Sequence, residues 1–351
     1  MGGEFYSEDV RNIKEEMVNT QSNHTRFLLS GRSALDYIIR DAKKEYNFDT
    51  IHLPSLVCRS MIEPFIKNGI KVKFYSVLIK ENKYIITLPD VEKKEALYIM
   101  QYFGYVREYP KEIIGFINEG MLIIEDKTHI AFNREERIVS TYSFTSFRKW
   151  SFINGLAIAQ KHKGEFLLSP PNQTNRKFIE LREKGALLKK EVRTKDEGYE
   201  KRFLDLFDEA ERTLNNNYVN CSANVDAIKS LYSIDVEKIY QKRRENAELL
   251  LNGIREKEII TPIFFEVLEN DIPLCVPVLV NGSRESLRSF LAKASIYCPV
   301  HWPMSDLHIG LSERDKSIYY TELSLICDQR YDEVDMIRLI EVISEYENKG
   351  E

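Results

Sequence analysis

Along the first half of the chain, short apolar runs alternate with stretches of helical period, each closed by polar residues, Gly or Pro. Apolar positions at Leu35, Ile38, Ile39 and Ala42 recur at i, i+3, i+4 and i+7, and predict a helix opened by Ser30-Gly31-Arg32-Ser33. Strands are expected at 50–53, 71–77, 96–103, 121–125, 138–144 and 156–159, with helices at 56–68 and 109–119. Pro64 inside the first of those helices predicts a kink or a late start. This alternation argues for an α/β fold with a mainly parallel sheet covered by helices on both faces. From Pro171 the pattern turns helical, at 176–190, 199–216 and 236–256, with charged faces that read as solvated. Strands at 261–267, 275–280 and 318–327, with helices at 283–294 and 332–346, then predict a smaller α+β C-terminal domain. The expected division is 1–230, a large α/β domain, and 231–351, the small one.

Composition narrows the class. The 351 residues are 43% hydrophobic and 30% charged, as in an ordinary globular protein, and the net charge of −5 gives no electrostatic reason to expect nucleic acid. No apolar run approaches the ~20 residues of a membrane span. The first twenty-odd residues read as a polar helical arm, without the basic-then-apolar order of a secretory signal. Five cysteines, odd in number and without Cys-x-x-Cys spacing, are expected to be reduced thiols in a cytoplasmic protein.

The candidate chemistry lies at two strand ends. Leu122-Ile123-Ile124 stops in Glu125-Asp126, and a carboxylate at the C-terminal end of a parallel strand lies where open α/β sheets bind ligands. The following strand delivers Thr145-Ser146-Phe147-Arg148-Lys149. An amine and a carboxylate so placed suit pyridoxal 5'-phosphate (PLP): the amine bonds the aldehyde, and the acid keeps the pyridine nitrogen protonated. On the residues alone, a solvated loop with a stray ion pair is the better account of them.

The segments LLSGRSAL, LPSLVCRS, QYFGY, IYCPVHWP and LSLICDQRY stand in an order that resembles the DegT/StrS-type sugar aminotransferases, PLP enzymes of aminotransferase fold type I, over residues 27–343. The resemblance implies that Asp126, in Glu125-Asp126-Lys127-Thr128-His129, meets the pyridine nitrogen, that His129 lies beside the cofactor, and that Lys149 carries it. It places the cofactor phosphate at Arg32 and Ser33, where the bland alternative is that Ser30 is only an N-cap. Cys58 stands where the family usually puts an aromatic over the ring; a thiol can pack there, or be only a small buried hydrophobe. The family's phosphate-binding serine falls on Phe144, so the hydroxyl is expected from Ser143 by a one-residue shift, with Ser146 as the alternative. His301-Trp302-Pro303 could equally line a substrate cleft or serve plain packing.

The implied activity is transfer of an amino group, from glutamate as amino donor, to a nucleotide-linked keto-sugar, in a homodimer with no nucleic-acid or membrane partner and no metal. Family members acting as sugar dehydratases replace the lysine with histidine, and retention of Lys149 argues against that branch. A non-catalytic PLP- or sugar-nucleotide-binding homologue and an enzyme of another carbonyl substrate are the other readings.

Overall fold

The stripe at Leu35, Ile38, Ile39 and Ala42 is the buried face of helix α1 (Gly31–Glu45) in the computed structural model, which describes residues 1–5, 22–80, 82–92, 94–133, 140–192 and 198–349. Ser30 caps this helix by accepting the Ser33 N–H, and Lys43 and Lys44 in its last turn oppose the negative end of the dipole. The polar arm expected at the N-terminus falls mostly on 6–21, outside the described residues.

Among the described residues, nine strands belong to the first half: β1 (Thr25–Leu28), β2 (Thr50–Pro54), β3 (Lys71–Tyr75), β4 (Val77–Lys80), β5 (Lys83–Ile86), β6 (Glu95–Met100), β7 (Ile123–Asp126), β8 (Tyr142–Ser146) and β9 (Ala157–Lys161). Helices α2 (Arg59–Lys67) and α3 (Glu112–Asn118) connect them. Seven of the strands form one sheet in the order β1-β9-β8-β7-β6-β2-β3. The run β8 to β3 is parallel and β9 alone is antiparallel to its neighbours, so the sheet is mainly parallel as expected. Pro64 goes with a late start, since α2 begins at Arg59 and not at 56. The β4–β5 hairpin and β1 were not expected. Both are short, and the hairpin turns through Asn82 at positive φ without a Gly.

The second half adds helices α4 (Arg176–Val192), α5 (Gly198–Asn216), α6 (Val225–Ser233) and α7 (Val236–Ile254), then β10 (Ile260–Pro262), β11 (Val276–Val280), α8 (Arg284–Lys293), α9 (Glu313–Thr321), β12 (Glu322–Leu325) and α10 (Glu333–Lys349). The strand expected over 318–327 is corrected: Ser312 caps α9 through the Asp315 N–H, so the chain stays helical to Thr321, and only Glu322–Leu325 pairs with β11. Strands β10, β11 and β12 form an antiparallel sheet, and its apolar faces pack with α7, α8 and α10 into a core separate from that of the large sheet.

Buried charge locks α1 onto the large sheet. Asp41 is fully buried, accepts the Tyr142 hydroxyl at 2.9 Å and the Leu167 and Leu168 N–H groups, and pairs with Lys161 at 3.2 Å. A buried carboxylate is tolerated when its lone pairs are filled in this way. The start of α1 is thereby held at the C-terminal edge of β8. Among the described residues no helix is long and apolar enough to cross a membrane.

Candidate active site

Parallel pairing sets which side chains meet at that edge. Asp126 is in register with Met100 on β6 and Phe144 on β8, and alternation then puts Tyr98, Asp126, Phe144 and Ser146 on one face. Ser143 is in register with Glu125 and so faces the other way. Its hydroxyl lies 2.8 Å from His162 Nε2, and it does not line the cavity at the edge. The hydroxyl that β8 brings to the cavity is Ser146, which corrects the one-residue shift.

The cavity holds about 540 Å³. The α1 start (Ser30, Gly31, Arg32), Ser146, Asp126, Lys149, Cys58 and Trp302 are among its lining residues. At Gly31 the α1 backbone comes so close to β8 that a Cβ would lie 3.2 Å from Ser146 Cβ. Arg32 lines the same wall; its Nη1 donates to Asn215, its guanidinium lies over Tyr218, and its buried Nε has no partner among the described residues. Ser33 does not line the cavity: it is fully buried, with Oγ 2.9 Å from Ser30 Oγ. Cys58 precedes α2, half-buried, with Sγ 2.8 Å from Ser60 Oγ.

Asp126 is buried, and its carboxylate accepts the Tyr98 hydroxyl at 2.8 Å and the Thr128 N–H at 2.7 Å. Among the described residues it has no ion-pair partner, and burial pushes its carboxyl above the ordinary range. Lys149 ends the turn after β8, with Nζ 3.0 Å from His129 Nε2 and 5.3 Å from the Trp302 ring. His129 is fully buried, and its Nδ1 accepts the Phe103 N–H at 3.0 Å. A neutral ring that accepts at Nδ1 carries its proton on Nε2. Nε2–H then donates to Lys149, which requires a neutral amine with a free lone pair. Burial acts in the same sense on both groups, lowering the Lys149 amine and holding His129 well below the usual imidazole range.

His301 and Trp302 complete the wall. The Trp302 ring lies 5.2 Å from that of His129 at 31°, and the His301 ring meets His129 edge-on at 5.5 Å. A second cavity of about 730 Å³ shares Arg148, Lys149, Glu211 and His301 with the first. Arg148 pairs there with Glu211, and Arg330 with Asp328. Fully buried Arg243 donates to the Pro273 and Leu274 carbonyls and to Gln329, while its Nη2 has no partner among the described residues. The structure thus brings Arg32, Cys58, Asp126, His129 and Lys149 together and leaves Ser33 and Ser143 apart from them. Tyr98 and Thr128, which hold Asp126, were not anticipated: Tyr98 reaches it only through the β6–β7 register, and Thr128 through a turn two residues on.

No protein-family model and no curated protein matches the sequence. Solved structures do. Helicobacter pylori PseC, an aminotransferase involved in the biosynthesis of pseudoaminic acid, is 13% identical with a TM-score of 0.68, over 99% of this chain and 100% of that one. DesV from S. venezuelae is 16% identical with a TM-score of 0.65, over 96% and 90%. The PLP form of Spr1654 from Streptococcus pneumoniae is 13% identical with a TM-score of 0.64, over 99% and 93%. At these identities the likeness shows the fold, and the chain has the fold of these proteins along nearly its whole length.

Proposed function

We propose that the protein is a PLP-dependent aminotransferase of the DegT/StrS type, acting as a homodimer, which moves an amino group from glutamate to a nucleotide-linked keto-sugar. One observation carries the reading: a buried carboxylate with no ion-pair partner among the described residues, Asp126, and the Lys149 amine, 3.0 Å from His129 Nε2, line one cavity at the strand-end edge. The fold neighbours support it, since PseC is an aminotransferase involved in the biosynthesis of pseudoaminic acid and Spr1654, described as a sugar aminotransferase, was solved in a PLP form.

The residues present fit the cofactor. Ser146 Oγ has no hydrogen-bond partner among the described residues, Arg32 Nε is buried and unpartnered, and both line the cavity at the α1 start, where helix N–H groups favour an anion. These groups would hold the phosphate, Asp126 the pyridine nitrogen, and Lys149 the aldehyde carbon. When bound, PLP supplies a carbonyl carbon open to amines and a ring that accepts electrons.

The chain's own part is positioning and proton transfer. Tyr98 and Thr128 fix the Asp126 carboxylate so that it meets a positive charge without reorganising. His129 Nε2–H orients the Lys149 amine, and that amine, once free, is the base that takes the proton from the donor's α-carbon. In the second cavity the unpartnered Arg243 Nη2 offers the donor's carboxylate a charged donor. The test is an absorbance scan of PLP-loaded protein on adding glutamate, followed by a panel of nucleotide keto-sugars. Conversion to the pyridoxamine form, reversed by one of the sugars, is expected. A cofactor spectrum that glutamate leaves unchanged would instead favour the binding homologue.

A further inference from the structure

Glu322 is a carboxyl with no exposed surface, at the first position of β12. Its Oε2 accepts the His301 backbone N–H at 2.6 Å, and its Oε1 lies 2.6 Å from Ser324 Oγ. Ser324 Oγ is in turn 2.8 Å from His301 Nδ1 and accepts the Cys275 thiol at 3.2 Å. The groups facing Glu322 are His301 and Cys298 from the loop before Trp302, Cys275 ahead of β11, and Arg284 of α8, while its register partner on β11 is Leu279. Arg284 spends its Nη1 on the Tyr319 and Glu322 main-chain carbonyls and pairs with Glu285, so no cation reaches the Glu322 carboxyl among the described residues. His301 lines both cavities together with Lys149, and no described residue bonds its Nε2.

A backbone N–H cannot turn away, so Oε2 is always an acceptor and any proton on the carboxyl sits on Oε1. The order of the remaining bonds then follows. With Oε1 protonated, Oε1–H donates to Ser324 Oγ, the serine O–H donates to His301 Nδ1, and the ring carries its proton on Nε2. With the carboxyl ionised, Nδ1–H donates to Ser324, the serine O–H donates to Oε1, and Nε2 presents a lone pair. The two orders differ by one proton. Passing from the first to the second breaks Oε1–H and makes a serine O–H, breaks the old serine O–H and makes Nδ1–H, and releases the Nε2 proton into the cavity.

We propose that Glu322, Ser324 and His301 form a proton wire that opens at His301 Nε2 beside Lys149, with Glu322 the positioning residue that sets which His301 tautomer the cavity meets. Burial without a cation pushes the Glu322 carboxyl up to about 8, so both orders are reached near neutral pH. Burial holds His301 well below the usual imidazole range, so its ring stays neutral in both. If the transamination proposed above holds, Nε2–H is the acid for the oxygen that the keto-sugar loses; the wire itself does not depend on that reading.

The test reads tautomers directly, by nitrogen NMR of 15N-histidine-labelled protein from about pH 6 to about pH 10. The chain has six histidines, and the His301→Gln spectrum identifies the signal of interest. In the wild type the His301 proton should move from Nε2 to Nδ1 as the pH rises. In Glu322→Gln the amide oxygen replaces Oε2 and the amide NH2 donates to Ser324, which keeps the proton on Nε2 at every pH. Ser324→Ala cuts the wire and should make His301 indifferent to Glu322; it carries the test if the Gln variant does not fold. A wild-type tautomer that does not change with pH, or a switch that persists in both variants, overturns the proposal. A protein that switches but does not transaminate supports the wire and refutes the functional reading, and the converse result refutes the wire alone.

Discussion

Ser146→Ala tests the site at the point where the alternation of β8 decides the outcome. Ser146 is the hydroxyl that β8 presents beside Gly31, and it has no protein partner to lose among the described residues. The substitution should therefore leave stability within the roughly ±0.5 kcal/mol typical of benign changes. If the hydroxyl donates to a phosphate oxygen, a hydrogen bond to a charged group goes, worth about 1.5–3 kcal/mol. At about 1.4 kcal/mol per factor of ten, PLP affinity should weaken by roughly one to two powers of ten. Ser143→Ala is the control. It removes a neutral contact to His162 on the far face of the sheet, costs about 1 kcal/mol of stability, and should leave PLP affinity unchanged.

Titration of PLP into the two apo-variants, followed by absorbance, with thermal melts alongside, separates the cases. Binding should survive in both, because helix N–H groups and Arg32 remain at the α1 start. A larger loss of affinity in Ser143→Ala than in Ser146→Ala would refute the argument from alternation. Equal and negligible losses would mean that no serine of β8 holds the phosphate.

Three further outcomes are expected. Lys149→Ala should keep the fold yet abolish covalent attachment, and borohydride reduction of the PLP-loaded wild type followed by peptide mapping should find the cofactor on Lys149; label on another lysine would sink the assignment. Asp126→Asn keeps the shape but removes the charge that favours a protonated pyridine, so transamination should collapse even where PLP still binds, and a loss of only a few-fold would place the needed carboxylate elsewhere. Glu322, with its folded-state carboxyl raised to about 8 against an ordinary 4.5, contributes stability that is fully present below 4.5 and is lost as pH rises through about 8. Thermal melts across that window should show Glu322→Gln gaining on the wild type as pH rises, and parallel curves would show that the carboxyl is not shifted.

Much of the fold was legible because its elements are fully buried on one face or both. The stripe of α1 and the apolar runs of β2, β6 and β7 can be nothing but core in a sheet covered by helices, and their order implied parallel strands. The misreadings have local causes. In Ile318-Tyr319-Tyr320-Thr321 the residues favour strand by type, but the Ser312 cap six residues upstream had already committed the chain to helix. Strands β1, β4 and β5 are four residues each, too short for a period of two to stand out from the loops around them.

The site was legible to the extent that one residue announces one role. Asp126 and Lys149 stand at the ends of recognisable strands, so their meeting could be read from strand order. The hydroxyl that lines the cavity could not be read in that way, although part of the signal was present. The resemblance put the phosphate position at Phe144, and a strand alternates, so a neighbour on the same face must differ by two. Ser146 satisfies that and Ser143 does not. The one-residue shift thus chose the nearer hydroxyl and turned it through the sheet. Glu322 illustrates the opposite limit. Nothing in Thr321-Glu322-Leu323-Ser324 marks a buried carboxyl, because the backbone N–H that fixes its Oε2, that of His301, lies 21 positions away in sequence. A chemistry built from one catalytic lysine leaves a trace in a single strand. One built from the tautomer of a histidine is written across two segments, and only their packing spells it out.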